Sequence, residues 1–240
     1  MRHDHRPYFV KRAFERLEHR FTEHFLRPQF DALGIGHRFM RPWHMRLHGP
    51  HIRVGDQVHA VCAADRHVSL SVWEHREQCG EIDIGDFALI CPGVRIDSAA
   101  SIRIGPASMI AAGAYLTDAD WHGIYDRTRI IGTARPIVLE ENVWIGDGAT
   151  VCKGVRIGAN SIVAAAAVVA KDVPSGVIVA GNPAQIVREL DADQPRITRR
   201  DMFSDPEGLA RWVEDLDRLL LKDNSIAGWL RSLLAPRPGD

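Results

Sequence analysis

The chain has 240 residues, 45% of them hydrophobic and 25% charged, and its 30 basic and 31 acidic side chains leave a formal net charge of −1. This length allows one large domain or two small ones, with a sizeable core. The near-neutral balance argues against a nucleic-acid partner, because phosphate binding normally leaves a clear basic excess.

No segment of the chain has the pattern of a membrane span. The longest uncharged apolar stretch, Ser161 to Ala170, is far shorter than the roughly 20 residues that a bilayer needs. The first residues are charged, so no signal peptide is visible. The four cysteines form no CxxC pair, which favours free thiols in a reducing compartment. We therefore expect a cytoplasmic protein without a membrane partner.

The N-terminal segment, Pro7 to Leu33, is rich in Phe, Leu, Arg and Glu. Phe14, Leu17, Phe21 and Phe25 recur at helical spacing, which predicts an amphipathic helix. Its expected role is to cover the open end of the repeat that follows, because a stacked repeat needs a cap.

A six-residue repeat of aliphatic residues dominates the middle of the chain. Its four sets of three are Ile84, Ile90, Ile96; Ile104, Ile110, Leu116; Leu139, Ile145, Val151; and Ile157, Val163, Val169. This period fits neither a helix nor a simple strand. It fits coils of about 18 residues with three flat faces, inward-pointing aliphatics and small residues at the corners. The repeat predicts a mainly β fold, a parallel β-helix.

Two interruptions break the repeat. An earlier, degraded coil around Ile52 to Gly55 is followed by an insertion from Ala63 to Gly80, which itself contains an alternating strand. A second interruption between Leu116 and Leu139 carries His122, the only one of twelve histidines beyond His75. Insertions in a repeat protein form loops on one face, and such loops commonly carry the functional site.

The chain after the repeat is predicted to be helical. Residues 191–201 read as a linker, and Asp205 to Leu221 and Ser225 to Leu234 read as helices. An apolar stripe on the first of these helices favours packing against the repeat or another subunit; it comprises Leu209, Trp212, Val213, Leu216, Leu219 and Leu220. The expected organisation is a helical cap (1–49), a β-helix (50–190) with insertions at 63–80 and 118–136, and a helical extension (191–240).

Residues 136–188 resemble the hexapeptide-repeat acyltransferases, and most closely the galactoside, maltose and capsule-sugar O-acetyltransferases. The motifs are Trp144-Ile145-Gly146, Lys171-Asp172-Val173-Pro174 and Ala180-Gly181-Asn182-Pro183. The resemblance covers roughly Ile82 to Leu190. It implies left-handed coils, a homotrimer with active sites between neighbouring β-helices, acetyl-CoA as co-substrate and a small-molecule acceptor, most simply a saccharide.

The resemblance places the catalytic histidine at about the position of His122, which lies 22 residues before Trp144. Transfer from a thioester needs a base that takes the proton of the acceptor, and imidazole titrates near working pH. We expect direct attack in a ternary complex, because the thioester is already activated. Glycine follows this histidine where the family often has proline, which puts the acceptor pocket in doubt.

An acceptor on the second ring nitrogen usually fixes the tautomer of such a base. Asp118, Asp120 and Asp126 are candidates, and the sequence does not choose among them. Trp121 is a candidate for stacking on a sugar face or for a subunit contact.

The resemblance also implies the cofactor-binding residues, which are Trp144, Asp147, Ala165, Lys171 and Arg188. The backbone N–H of Asp147 would stabilise the oxyanion, and the backbone of Ala165, one coil later, would bind the pantetheine amides. Lys171 and Arg188 match cationic positions near the CoA phosphates. A further basic position of the family is Gln185 here, so one phosphate contact is missing.

Three other functions remain open. The repeat alone would serve a non-catalytic trimeric scaffold, and the terminal helices would serve a module that binds a partner protein. The γ-class carbonic anhydrases share the fold but bind zinc through three histidines. Between Ile82 and Pro174 the only histidine is His122, so we expect no metal site.

Overall fold

The computed structural model describes residues 3–75, 78–238 and 240. The omitted residues belong to the predicted cap, first insertion and C-terminal extension, so those parts of the predictions lie outside the described residues. Among the residues described, no helix is long and apolar enough to cross a bilayer. All four cysteines are free thiols.

The chain begins with helix α1 (Tyr8–Phe21), continues as a π-helical turn (Thr22–Leu26) and ends this segment with a 3₁₀ turn (Arg27–Gln29). The predicted helix is therefore present but irregular in its second half. Phe14 and Phe21 pack edge-on against Trp43, with ring centroids 5.4 and 5.9 Å away. Leu17 and Phe25 are 54% exposed, so only part of the apolar face is covered.

Six successive coils follow, and each contributes one strand to sheet A, one to sheet B and one to sheet C. The first three coils contain β1 (Ala32–Leu33), β2 (Arg38–Met40), β3 (Met45–His48); β4 (Ile52–Val54), β5 (His59–Val61), β6 (Val68–Val72); a hairpin of β7 (Glu74–His75) and β8 (Gln78–Cys79); and β9 (Ile82–Ile84), β10 (Leu89–Ile90), β11 (Arg95–Ser98). The next three contain β12 (Ile102–Ile104), β13 (Met109–Ile110), β14 (Tyr115–Thr117); β15 (Ile137–Leu139), β16 (Trp144–Ile145), β17 (Thr150–Val151); and β18 (Arg156–Ile157), β19 (Ile162–Val163), β20 (Val168–Val169).

Sheet B is longer than the other two sheets. Strand β21 (Val177–Ala180) extends it in parallel, and β22 (Gln185–Glu189) closes its edge as the antiparallel partner of β21. The C-terminal extension then forms α2 (Arg199–Met202), α3 (Pro206–Leu220) and α4 (Ile226–Leu234). It returns to the N-terminus, where Tyr8 donates a hydrogen bond to Glu214 at 2.7 Å. The extension therefore packs against its own chain.

The twelve predicted repeat positions form the core. Each is at most 4% exposed, and each lies directly above its equivalent in the next coil. One column, on sheet B, contains Ile90, Ile110, Ile145 and Val163. The six-residue period is thus confirmed as the spacing of inward-facing side chains.

The coils begin earlier than the sequence predicted. Residues 32–48, assigned to the helical cap, form the first coil and pair in register with the second. Leu33, Phe39 and Met45 keep the six-residue spacing, but a phenylalanine and a methionine replace the usual aliphatics because this end coil contacts the cap. Strand β6 likewise belongs to sheet C, so the first excursion is confined to residues 73–81.

Both excursions leave sheet C and return at sheet A. The second one, residues 118–136, is closed by an antiparallel bridge between Ala119 and Ala134 and has a small core of Ala99, Ala119 and Ile131. The two loops therefore protrude from the same corner of the prism.

Asp118 anchors the second excursion to the coil below it. Its carboxylate is fully buried and accepts hydrogen bonds from the Ser98 hydroxyl (2.7 Å) and from the backbone N–H groups of Ala99 (2.7 Å) and Ala100 (2.9 Å). Burial raises the pKa of Asp118 and these donors oppose the rise. Its carbonyl accepts from the Arg135 N–H at 2.8 Å, so one residue fixes both ends of the loop.

Removing one buried side chain from a column tests the core. Ile145 is fully buried, whereas Ile162 points outward from the adjacent strand. We expect Ile145→Ala to lower the free energy of unfolding by about 2–5 kcal/mol, because it leaves a cavity between two coils. Urea denaturation measures the loss, and Ile162→Ala is the matched control. Equal losses in the two variants would contradict the inward column.

Asp118→Asn tests the anchor. The amide places an NH₂ group against backbone and hydroxyl donors, so we expect a loss of about 1–3 kcal/mol in the free energy of unfolding and faster proteolysis within residues 119–134. Limited proteolysis followed by mass spectrometry locates the cuts. Asp126→Asn, at the exposed loop tip, is the control, and equal protection in both variants would show that Asp118 is not the anchor.

Candidate active site

His122 lies on the protruding part of the second excursion. Its side chain is exposed, and within the part of the chain that the structure describes neither ring nitrogen has a hydrogen-bond partner. Its carbonyl oxygen packs closely against Gly132, where an added Cβ would lie only 2.6 Å away. The imidazole is thus exposed on the loop and open to an incoming molecule.

The three candidate aspartates have different partners. Asp120 forms an ion pair with Lys153, which lies at the corner one coil later, and its backbone pairs with Thr133 and Gly132. Asp126 accepts two hydrogen bonds from Thr128, which hold its pKa below the usual value. Together with the anchoring role of Asp118, these contacts leave His122 without a carboxylate partner among the described residues.

Trp121, the residue before His122, forms an aromatic edge with Trp73. The indole N–H of Trp121 donates to the Thr117 hydroxyl at 3.0 Å, and its ring lies edge-on to Trp73, with centroids 6.0 Å apart. Trp73 is 43% exposed and also contacts His48 at 4.9 Å. The sequence did not single out Trp73. The feature that could have identified Trp73 is that both insertions follow a strand of sheet C, which brings them to the same corner.

A stack of turns forms the corner between sheets B and C. Pro92, Ala112, Asp147 and Ala165 occupy the same turn position in four successive coils. Hydrogen bonds of 2.8–3.0 Å connect each turn to the next, including Ala166 N–H to the Asp147 carbonyl. The residue that follows each of these four has a positive φ, for example 63° at Gly148. A positive φ at this position is typical of a type II turn.

The N–H groups of Asp147 and Ala165 point away from the coil ladder. Within the described residues neither N–H donates a hydrogen bond to another group, and both residues are exposed. Two stacked free amides, about one strand spacing of ~4.8 Å apart, can bind carbonyl oxygens of an extended ligand. The structure therefore brings together these two positions, as their 18-residue separation indicated.

The other implied cofactor residues occupy different faces. Trp144, 45% exposed, and Arg188 line a groove of 380 Å³ on sheet B, which the segment at Arg196 borders. Lys171 is exposed at the corner between sheets C and A, two coils beyond the excursion that carries His122. A single chain therefore does not gather the predicted site residues into one pocket. They are divided among the corner of sheets C and A (His122, Lys171), the corner of sheets B and C (Asp147, Ala165) and the groove on sheet B (Trp144, Arg188).

Comparison with known proteins supports the repeat. Residues 136–171 match the family described as bacterial transferase hexapeptide (six repeats). Over 72 residues the chain is 39% identical to the 2,3,4,5-tetrahydropyridine-2,6-dicarboxylate N-acetyltransferase of Staphylococcus aureus. The aligned segment is 30% of this chain and 29% of that protein. Over 57 residues it is 46% identical to a Saccharomyces cerevisiae protein provisionally named acetyltransferase YJL218W, or 24% and 29% of the two chains.

The fold is also found among solved structures. The N-acyltransferase AntD from Bacillus cereus, solved as a point mutant with dTDP-4-amino-4,6-dideoxyglucose and coenzyme A, superposes with a TM-score of 0.58 at 18% identity. The match covers 71% of this chain and 89% of AntD, and shows a common fold. The chain spans less than a third of the curated relatives that it matches. Residues 136–171 therefore carry the hexapeptide repeat found in bacterial transferases.

Proposed function

We propose that this protein is an acetyl-CoA-dependent acetyltransferase, a homotrimer of left-handed β-helices that acts on a hydroxyl group of a small saccharide-like acceptor. The observation that carries the proposal is the exposed, unpartnered imidazole of His122 on an anchored loop beside the repeat. The acetyltransferase names of the relatives and the coenzyme A bound by AntD support the same chemistry.

The reaction is a direct transfer. His122 takes the proton of the acceptor hydroxyl while its oxygen attacks the thioester carbonyl carbon. The tetrahedral intermediate collapses as the C–S bond breaks, the protonated imidazole gives its proton to the leaving CoA sulfur, and the acetyl ester is released. No covalent acyl-enzyme is needed, since the thioester is an activated donor. An amine acceptor, as the N-acyltransferase relatives use, would follow the same path.

Asp118 and Asp120 act as positioning residues in this proposal. Asp118 fixes both ends of the loop, and Asp120, next to the bridge at the base of the loop, pairs with Lys153 on the next coil. Both restrict where the imidazole can lie. Holding a base in the reactive geometry removes part of the entropic cost of reaching the transition state. The exposed edge of Trp73 and Trp121 supplies an apolar surface for a sugar face.

The donor site uses the opposite edge of sheet C. The free N–H of Asp147 would bind the oxyanion and that of Ala165 a pantetheine carbonyl. Trp144 and Arg188 would contact the remainder of CoA. Lys171, at the corner of sheets C and A, would lie near the CoA phosphates. Since His122 and Asp147 lie on opposite edges of one sheet, a compact active site forms most simply when neighbouring chains contribute one each, which supports the trimer.

Replacing the base tests the chemistry. We expect His122→Ala to lower kcat by about 10²–10⁴-fold, because proton removal from the acceptor is lost, while CoA binding measured by calorimetry is retained. Release of free CoA thiol, assayed over a panel of saccharides and amines, measures the rate. The control is His24→Ala, an exposed histidine of the N-terminal segment. Unchanged turnover would remove His122 from the mechanism.

Removing one backbone donor tests the oxyanion site. Proline is compatible with this turn position, because Pro92 already occupies it in another coil. Asp147→Pro deletes the N–H, and we expect kcat to fall by about 10²–10³-fold, whereas Asp147→Ala keeps the N–H and most of the activity. Equal activity of the two variants would show that this amide is not the donor.

The same variants determine whether two chains share the site. Denatured His122→Ala and Asp147→Pro chains, mixed equally and refolded together, would regain about one quarter of the wild-type sites if neighbours contribute one group each. If both groups come from one chain, the mixture stays as inactive as its components.

A further inference from the structure

Three potential metal ligands meet where the N-terminal segment packs against the first coil. His19 lies in the last turns of α1, Glu23 in the π-helical turn and His37 just before β2. One ligand atom from each lies within 4.8 Å of the others. They line or border a cavity of 590 Å³ that also contacts the C-terminal helices.

The His37 ring is fixed by its other nitrogen. Its side chain is 4% exposed, and Nδ1 lies 2.9 Å from the Gly34 carbonyl oxygen. Because a carbonyl only accepts, Nδ1 must carry the proton there. This is the arrangement that orients metal-binding histidines, which donate their second N–H to a carbonyl or carboxylate.

The remaining nitrogen of His37 is buried and has no hydrogen-bond partner among the described residues. It lies 3.1 Å from the Glu23 carboxylate oxygen Oε1. A proton on this nitrogen would form an ion pair with Glu23. In the neutral imidazole the nitrogen instead holds a lone pair, which faces the carboxylate oxygen and leaves a position for a metal ion bound by both atoms. The His19 ring is 6.0 Å from that of His37, nearly parallel to it, and completes the group.

The spacing of the other two ligands suits one ion. His19 and Glu23 are four residues apart, which places them on the same face of the helical segment. π-helical turns frequently occur at functional sites. Arg27 holds Oε2 of Glu23 at 2.6 Å and contacts Oε1 at 3.0 Å, but a carboxylate has about four acceptor sites and Oε1 retains one for a metal.

We propose that His19, Glu23 and His37 bind a divalent transition-metal ion of the zinc class. Two imidazoles and one carboxylate favour Zn²⁺, Co²⁺ or Ni²⁺ over Ca²⁺ and Mg²⁺. The ion links the N-terminal segment to the first coil, far from His122 in the fold. The site departs from the expectation of no metal, which considered only the repeat. The proposal gives the ion no part in acyl transfer.

Metal titration of the untagged, chelator-treated full chain tests the site. We expect one equivalent of Co²⁺ per chain with the intense visible absorption of low-coordinate cobalt, displaced by Zn²⁺. Zinc at about 100 times its dissociation constant should raise the melting temperature by about 5 °C or more. His19→Ala and His37→Gln should each lose the absorption, whereas His24→Ala, next to the site but outside it, should keep it.

Arg27→Gln provides an independent check, because removing the competing cation should tighten Co²⁺ binding. Since His37 is buried, circular dichroism of each variant without metal is recorded first. If His37→Gln is unfolded, the exposed His19→Ala decides alone. Absence of a bound equivalent, or binding that survives His19→Ala, would overturn the proposal.

Discussion

The burial of one aliphatic side chain on each flat face of each coil holds this structure together. Isoleucine, leucine and valine side chains stack above their equivalents in the next coil, and a buried side chain of this size contributes roughly 1.5–3 kcal/mol. A solenoid of this kind has no long-range contact that could compensate for a mismatched coil. The period must therefore be kept strictly wherever the coils stack, and variation is confined to corners and ends.

Corners are where the chain can differ from the repeat without disturbing the column. The corner between sheets C and A admits two excursions, and the longer one is held by a single buried carboxylate and a bridge at its base. In the last four coils the corner between sheets B and C stays tight and repeats the same turn, which leaves the N–H groups of Asp147 and Ala165 free on its surface. One corner thus carries the histidine and the other carries free backbone donors, which is the division that the proposed function uses.

The ends of the solenoid need covers, and this chain uses its own termini. The N-terminal segment packs on the first coil, and the C-terminal helices return along sheet B, where Phe203 stacks on Phe87 at 5.6 Å and Arg199 donates to the Phe87 carbonyl at 2.7 Å. Large apolar side chains of α3 nevertheless remain exposed, among them Trp212 at 63%. The proposed metal site lies within this cover, at the junction between the irregular helix and the first strands.

The sequence determined the coils, because an inward position every six residues is a local pattern that stacking merely repeats. It also located His122, since a loop inserted into a strict period is visible without coordinates, and it separated Asp147 and Ala165 by one coil. The tertiary structure alone decided that Asp118 is an anchor, that Trp73 meets Trp121, and that His19, Glu23 and His37 converge. These contacts join segments whose separation follows no period, so their proximity depends on how loops and caps fold onto the prism.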